Sequence, residues 1–275
     1  MWRGRTTIFA CSLCAKARVR FFLRRQHGST GSPLGAHWYE WVSQYKTSHG
    51  CRGQVQPHSR FSEALYQLAR EAQGILEVGT WEGCGSSLIL AKGILDQRTK
   101  GTKCAKGGAR LLQTIEADRL RAAAARQVLG GLGVVNVTTG AASLAADIYP
   151  LYDVMHGALP PAMHDRERSE YARWWRGERG VSTRRAATQP IPELCASHVI
   201  DVAVLDGGEF FGHADLVEVL RHCRQLQYVA LDDTATFKNY HTRRQLLARG
   251  SGWRMSVEDT HERHGWAVFK RDHRR

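Results

Sequence analysis

At 275 residues, 43% of them hydrophobic, the chain suits one domain with embellishments and is long enough to bury a large core. No apolar run approaches the length of a membrane span, and seven scattered cysteines, an odd number, favour a reducing compartment over a disulfide framework. The formal charge of +13 is peripheral: residues 1–39 carry seven Lys/Arg and no acid, and 96–110, 164–185 and 270–275 are each net basic, which ranks nucleic acid low as the main partner.

Residues 1–35 form an Arg-rich, acid-free arm with short apolar patches at Ile8–Ala10 and Phe21–Leu23. That composition fits either an organelle-targeting segment, mitochondrial or plastid, or a disordered basic arm on an intracellular protein. Cys11-x-x-Cys14 has no second Cys or His pair at zinc spacing. The folded domain is assigned to 36–273, with insertions at 96–110 and 144–197. His37–Val42 is aromatic-dense and predicts a packing helix, and Phe61–Ala72 has helical apolar periodicity. Ile75–Val78 then reads as a short buried strand. Gly79, Gly83 and Gly85 follow, and Ser86-Ser87 predicts a hydroxyl-capped helix start. Strand, glycine loop and helix open a doubly wound α/β domain, with the loop approaching an anionic ligand group. The loop does not follow G-x-G-x-x-G, because Trp81 stands where the second glycine belongs.

Asp96–Arg110 predicts an exposed loop and Leu111–Ile115 a second strand, ending at Glu116-Ala117-Asp118. An acid at that strand end is placed to bond ribose hydroxyls, so Glu116 is the candidate and Asp118 the cap of a helix over Arg119–Leu129. Val134–Thr138 is the third strand, followed by small residues at Gly140–Ser143. Prolines at 150, 160, 161, 190 and 192 break up 144–197, around a helix at Arg166–Gly180. Its adjacent Trp174 and Trp175 face different ways, so one packs inward and the other reaches a substrate pocket or also packs. Arg173, Arg176 and Arg179 either meet an anionic substrate or are solvated.

Val199–Leu205 is a buried strand ending at Asp206-Gly207-Gly208-Glu209, and a helix follows over Ala214–Cys223. Tyr228–Leu231 is the next strand, ending at Asp232-Asp233, before a helix over Phe237–Arg249 with Lys238, Arg243 and Arg244 outward. Trp253–Val257 and Gly265–Phe269 make a terminal hairpin. The expected fold is therefore α/β, a doubly wound, mostly parallel seven-stranded sheet with a C-terminal antiparallel hairpin. Asp206, Asp232 and Asp233 end two successive strands and should share one rim. Carboxylates so close repel unless protonated or bridged by a cation, and oxygen-only ligands suit Mg²⁺ or another hard divalent ion.

The loop, Glu77-x-Gly79-x-x-x-Gly83-x-Gly85-Ser86-Ser87, resembles motif I of the class I S-adenosylmethionine (AdoMet) methyltransferases, in the form found in small-molecule O-methyltransferases. AdoMet brings an ammonium and a sulfonium, so Glu77 is useful there. Leu205–Phe210, Ala230–Thr234 with Phe237-Lys238-Asn239, and Gly265–Phe269 resemble methyltransferase-like proteins related to sugar- and antibiotic-tailoring enzymes, over about 60–270. Trp81 and the basic loop 96–110 depart from that pattern. The resemblance implies a Rossmann-like methyltransferase fold and AdoMet held by Glu77, Gly79, Thr80, Gly83, Ser86, Glu116, Ala141 and Asp206, with adenine at the turn containing Ala141. It implies methyl transfer to a hydroxyl of a small molecule or glycan, assisted by a metal on Asp206, Asp232 and Asp233. Candidate catalytic groups are Asp206, Glu209, His213, Lys238 and His241. Two alternatives stand beside it: an RNA methyltransferase recruited through the basic arm, and a non-catalytic cofactor-binding protein that uses its Arg/Trp insertion for a partner.

Overall fold

The computed structural model describes residues 37–99, 110–185 and 189–272. The basic arm with Cys11 and Cys14, and residues 100–109 of the expected loop, lie outside them. Five strands pair in parallel: β1 (Ile75–Val78), β2 (Leu112–Glu116), β3 (Val135–Thr139), β4 (Val202–Leu205) and β5 (Tyr228–Asp232). The hairpin β6 (Trp253–Asp259) and β7 (Trp266–Arg271) completes the sheet, with β7 inserted antiparallel between β5 and β6. The spatial order is β3-β2-β1-β4-β5-β7-β6, so the direction of winding reverses between β1 and β4. In such sheets ligands bind at that switch point, beyond the carboxyl ends of the strands.

Alternation along each strand divides the core between the two faces of the sheet. Ile75, Leu112, Val202, Val204, Ala230 and Val268 face one side, against α1 (Trp38–Ser48), α2 (Arg60–Glu71), α3 (Ser86–Thr99) and α4 (Arg119–Leu129). Leu76, Val78, Ala203, Leu205, Val229, Leu231 and Phe269 face the other. They meet α7 (Ile191–Ser197), α8 (Gly212–His222) and α9 (Tyr240–Leu247). Because both faces are covered, β1, β2, β4 and β5 are buried along their whole length. Local signals agree with these elements. Ser59 Oγ accepts from Ser62 N–H at the start of α2, and Asp118 accepts from Leu120 and Arg121 N–H at the start of α4.

A third apolar cluster comes from the 144–197 insertion. There α5 (Leu151–His156) and α6 (Arg168–Arg185) bring Val154, Tyr171 and Trp175 onto Phe210, Phe211 and Phe237. Trp175 is buried and donates to the Tyr149 carbonyl at 2.6 Å, whereas Trp174 is exposed beneath the Arg166 guanidinium. The insertion is thus a cap against the loops that follow β4 and β5, where Tyr149 N–H bonds the Phe210 carbonyl and Ala162 N–H the Ala235 carbonyl.

Several boundaries differ from the sequence reading for identifiable reasons. Asp96–Thr99 is the last turn of α3 rather than loop, held by Lys92 and the Tyr66 hydroxyl on Asp96. Val199–Asp201 precede β4, because the Asp201 carboxylate accepts Gln73 and Gly74 N–H. The last helix begins at Tyr240 rather than Phe237, since Asn239 Nδ2 is spent on the Leu205 and Asp232 carbonyls. Lys238 is therefore buried, not outward. Four cysteines, expected free, are joined as Cys51–Cys84 and Cys195–Cys223, partners separated by 33 and 28 residues that only folding brings together.

Candidate active site

Glu77 sits at the switch point, wholly buried near the end of β1. Its Oε2 accepts from the Thr114 hydroxyl at 2.7 Å and from Ser87 Oγ, while its Oε1 is bonded to nothing among the described residues. Ser87, read as a helix cap, is thus committed to this carboxylate. Burial raises Glu77 to about 7, against the pull of Ser87, Ser86 and Thr114. Gly79, at φ 97°, is required where it stands: a Cβ there would lie 2.0 Å from the Asp206 carbonyl oxygen. That contact brings the loop after β1 against the end of β4. Thr80 and Ser86 are buried beside it, with Thr80 Oγ1 bonded to Thr114 Oγ1. Gly83 lies under Leu129.

Glu116 ends β2 as expected and accepts from Trp81 N–H at 2.8 Å and Asp118 N–H at 2.9 Å. These bonds leave lone pairs for a hydroxyl. Burial raises its pKa, and both backbone donors oppose the rise. Trp81 has φ 52° and is 50% exposed, its ring stacked under the Arg121 guanidinium at 3.4 Å. Ala141, Ala142 and Ser143 are buried after β3, and Ser143 Oγ donates to Asp215 at 2.7 Å. Burial raises Asp215 to about 7, partly offset by that bond.

Asp206, Asp232 and Asp233 do share one rim, with one oxygen from each within 4.8 Å of the others. The site also contains cations. Lys238 Nζ lies 2.8 Å from Asp206 Oδ1 and 2.8 Å from Asp233 Oδ2. Arg263 Nη1 reaches Asp232 Oδ2 at 3.1 Å, and Nη2 reaches Asp233 Oδ1 at 3.2 Å. Burial lowers the Lys238 pKa, but Asp206 and Asp233 outweigh it and hold the amine well above its ordinary value, as an ammonium. Burial pushes Asp233 up, and Lys238 and Arg263 more than reverse this. Burial with repulsion from Asp206 and Asp233 raises the Asp232 pKa, and Lys238 and Arg263 oppose the rise. As the side chains stand, the donor set does not fit a divalent ion.

Glu209 adjoins this cluster, with Oε1 accepting from Lys238 N–H at 3.3 Å. Burial raises it to about 7, although Lys238 draws it down. Glu178 of the cap accepts the N–H groups of Glu209 and Phe210 at 2.8 and 3.1 Å, and Gly208 admits it, since a Cβ there would meet Glu178 Oε2 at 2.8 Å. His213 is exposed, and His241 stacks on Tyr149 with its Nε2 unbonded among the described residues. Among the described residues no hydrogen bond or ion pair joins either histidine to the acidic rim. Sequence reasoning missed Arg263, Glu178 and Asn239. Arg263 lies in a polar turn and Glu178 in a charge-rich helix, so neither carried a signal. Asn239 did, as the residue after Phe237-Lys238.

No protein-family model matches the chain, and no curated protein does. Solved structures do. The cofactor-bound protein Rv0187 from MTB is 16% identical, covers 86% of this chain and 90% of its own, and superposes with a TM-score of 0.50. TomG of Streptomyces achromogenes, an O-methyltransferase involved in tomaymycin synthesis and solved with SAM, is 18% identical, covering 86% and 91%, at 0.48. An O-methyltransferase from Bacillus cereus solved with SAH is 15% identical, covering 86% and 92%, at 0.48. At such identity the likeness speaks for the fold. Together with the strand order and the inserted β7, the fold is that of the class I AdoMet-dependent methyltransferases.

Proposed function

We propose that this chain transfers the methyl group of AdoMet to a hydroxyl of a small molecule or glycan. The observation that carries the reading is Glu77: a fully buried carboxylate at the switch point, with one oxygen bonded to nothing among the described residues. A buried unpaired carboxylate oxygen is costly, and the ammonium of a methionyl group satisfies it. Glu116 suits ribose hydroxyls, and the small buried turn at Ala141–Ser143 suits a flat base.

AdoMet supplies a methyl carbon already activated by its sulfonium, so the protein's task is to place the acceptor in line and remove its proton. Glu209 is the group for that proton. It lies on the acidic rim, and its pKa of about 7 lets it exchange a proton near neutrality. Lys238, held as an ammonium, is not a proton acceptor, and among the described residues no hydrogen bond or ion pair joins His213 or His241 to the rim. The cap packs Tyr149 and Tyr171 against Phe237 of the loop after β5, which closes an apolar layer over the same rim. Titration calorimetry with AdoMet and with S-adenosylhomocysteine tests the reading: saturable binding of both is expected, and binding of neither would overturn it.

A further inference from the structure

We propose that the Asp206–Asp232–Asp233 cluster is a cation site filled from within the chain, the Lys238 ammonium and Arg263 guanidinium standing where the acidic pattern implies a divalent metal ion. Asp233 carries a different cation on each oxygen, Lys238 on Oδ2 and Arg263 on Oδ1. Asp232 Oδ2 is taken by Arg263, and its Oδ1 accepts Asp233 N–H at 3.0 Å. Asp206 Oδ1 is taken by Lys238. A hard divalent ion requires several oxygens free to converge at about 2.0–2.6 Å. Here the convergence point is held by Nζ, at ordinary charge-assisted hydrogen-bond distance from two carboxylates.

Lys238 is also fixed at its root. Its N–H donates to Thr236 Oγ1 and Glu209 Oε1. A Cβ on Gly212 would lie 1.8 Å from its carbonyl oxygen, so α8 is packed tightly on this backbone. Asn239 next to it bonds the ends of both β4 and β5. The lysine as a whole is buried. Arg263, about a quarter exposed, comes from the β6–β7 turn and is steadied by Gln54. Two elements remote in sequence thus supply the positive charge on opposite sides of Asp233. Both are tethered, so their effective concentration at the carboxylates does not depend on the surrounding solution. A metal ion must displace the lysine to enter.

Electron paramagnetic resonance of Mn²⁺ mixed with the full chain tests this without relying on methyl transfer. The wild-type chain is expected to leave the free Mn²⁺ signal at its buffer level, with or without AdoMet. Lys238→Ala, which empties the position and keeps the carboxylates, is expected to take up about one Mn²⁺ per chain, and the added change Asp233→Asn to abolish that uptake. A stoichiometric loss of free signal in the wild type that Asp233→Asn restores would overturn the proposal. So would a Lys238→Ala chain with the wild-type circular dichroism spectrum that takes up none. If the alanine variant does not fold, the wild-type titration decides: an unchanged free Mn²⁺ signal supports the proposal and a stoichiometric loss overturns it.

Discussion

Replacing Lys238 by Met isolates the contribution of one buried charge, because methionine nearly matches the stem and removes only the ammonium. Lys238 is 8% exposed and Asp233 5% exposed, so the pair is out of water on both sides. Removing one partner of a buried pair costs about 3–5 kcal/mol, largely because the other charge is left uncompensated. Arg263 still holds Asp233 Oδ1 and tempers the loss there, whereas Asp206 loses the only ion-pair partner it has among the described residues. The expected cost is therefore about 3 kcal/mol at neutral pH. That is a large share of the roughly 5–15 kcal/mol typical of a domain, and it should still leave the variant folded. Urea unfolding followed by circular dichroism measures it as a lower midpoint at unchanged slope.

The pH dependence adds a second check. Asp233 has a depressed pKa in the folded wild type, so its contribution is present above the unfolded value and is lost as pH falls through the folded one. In the variant the same carboxylates lose their main partner and protonate at higher pH. The stability gap should therefore be widest near neutrality and close as the solution is acidified through the carboxylate range. A loss below about 1 kcal/mol, the scale of an exposed pair, would refute the argument that the ammonium compensates these acids. A gap that widens in acid would refute it as well.

Other outcomes follow from the same geometry. Glu209→Gln should lower kcat by about 10²–10⁴ with AdoMet binding retained; in the wild type the rate should fall as pH drops below about 7, where Glu209 takes up its proton, and pH–rate profiles read both. Glu77→Gln should weaken AdoMet about tenfold, or ~1.4 kcal/mol, by calorimetry. Wild-type affinity should also decline as pH falls below about 7, where Glu77 takes up its proton, and the Gln variant should show no such decline. Leu205→Ala, at a 1% exposed position in β4, should cost about 2–5 kcal/mol in denaturant without altering the pH–rate profile.

Motif I and its neighbourhood were legible because they are local. Ile75, Leu76 and Val78 are apolar because both faces of the strand are covered. The glycine at 79 is required by a backbone contact with Asp206 that no Cβ could survive. The acid at the end of β2 directly follows Ile115, the last apolar residue of that strand. The cap helix was visible in Tyr171, Trp174 and Trp175, but which tryptophan turned inward was not. The tie that set it, Trp175 to the Tyr149 carbonyl, crosses 26 residues.

By itself the sequence determined the order of strands and helices along the chain and the acids at the strands' carboxyl ends, since each depends on periodicity or on residues adjacent in the chain. Only the tertiary structure decided what balances those acids. Lys238 looked like one of several outward charges on a helix until Asn239 was drawn onto the ends of β4 and β5, starting that helix later and turning the lysine inward. Arg263 sits 30 residues from Asp233 and joins it only because β7 folds back beside β5. Coulombic partners are chosen by distance in space, and no periodicity along the chain records that choice.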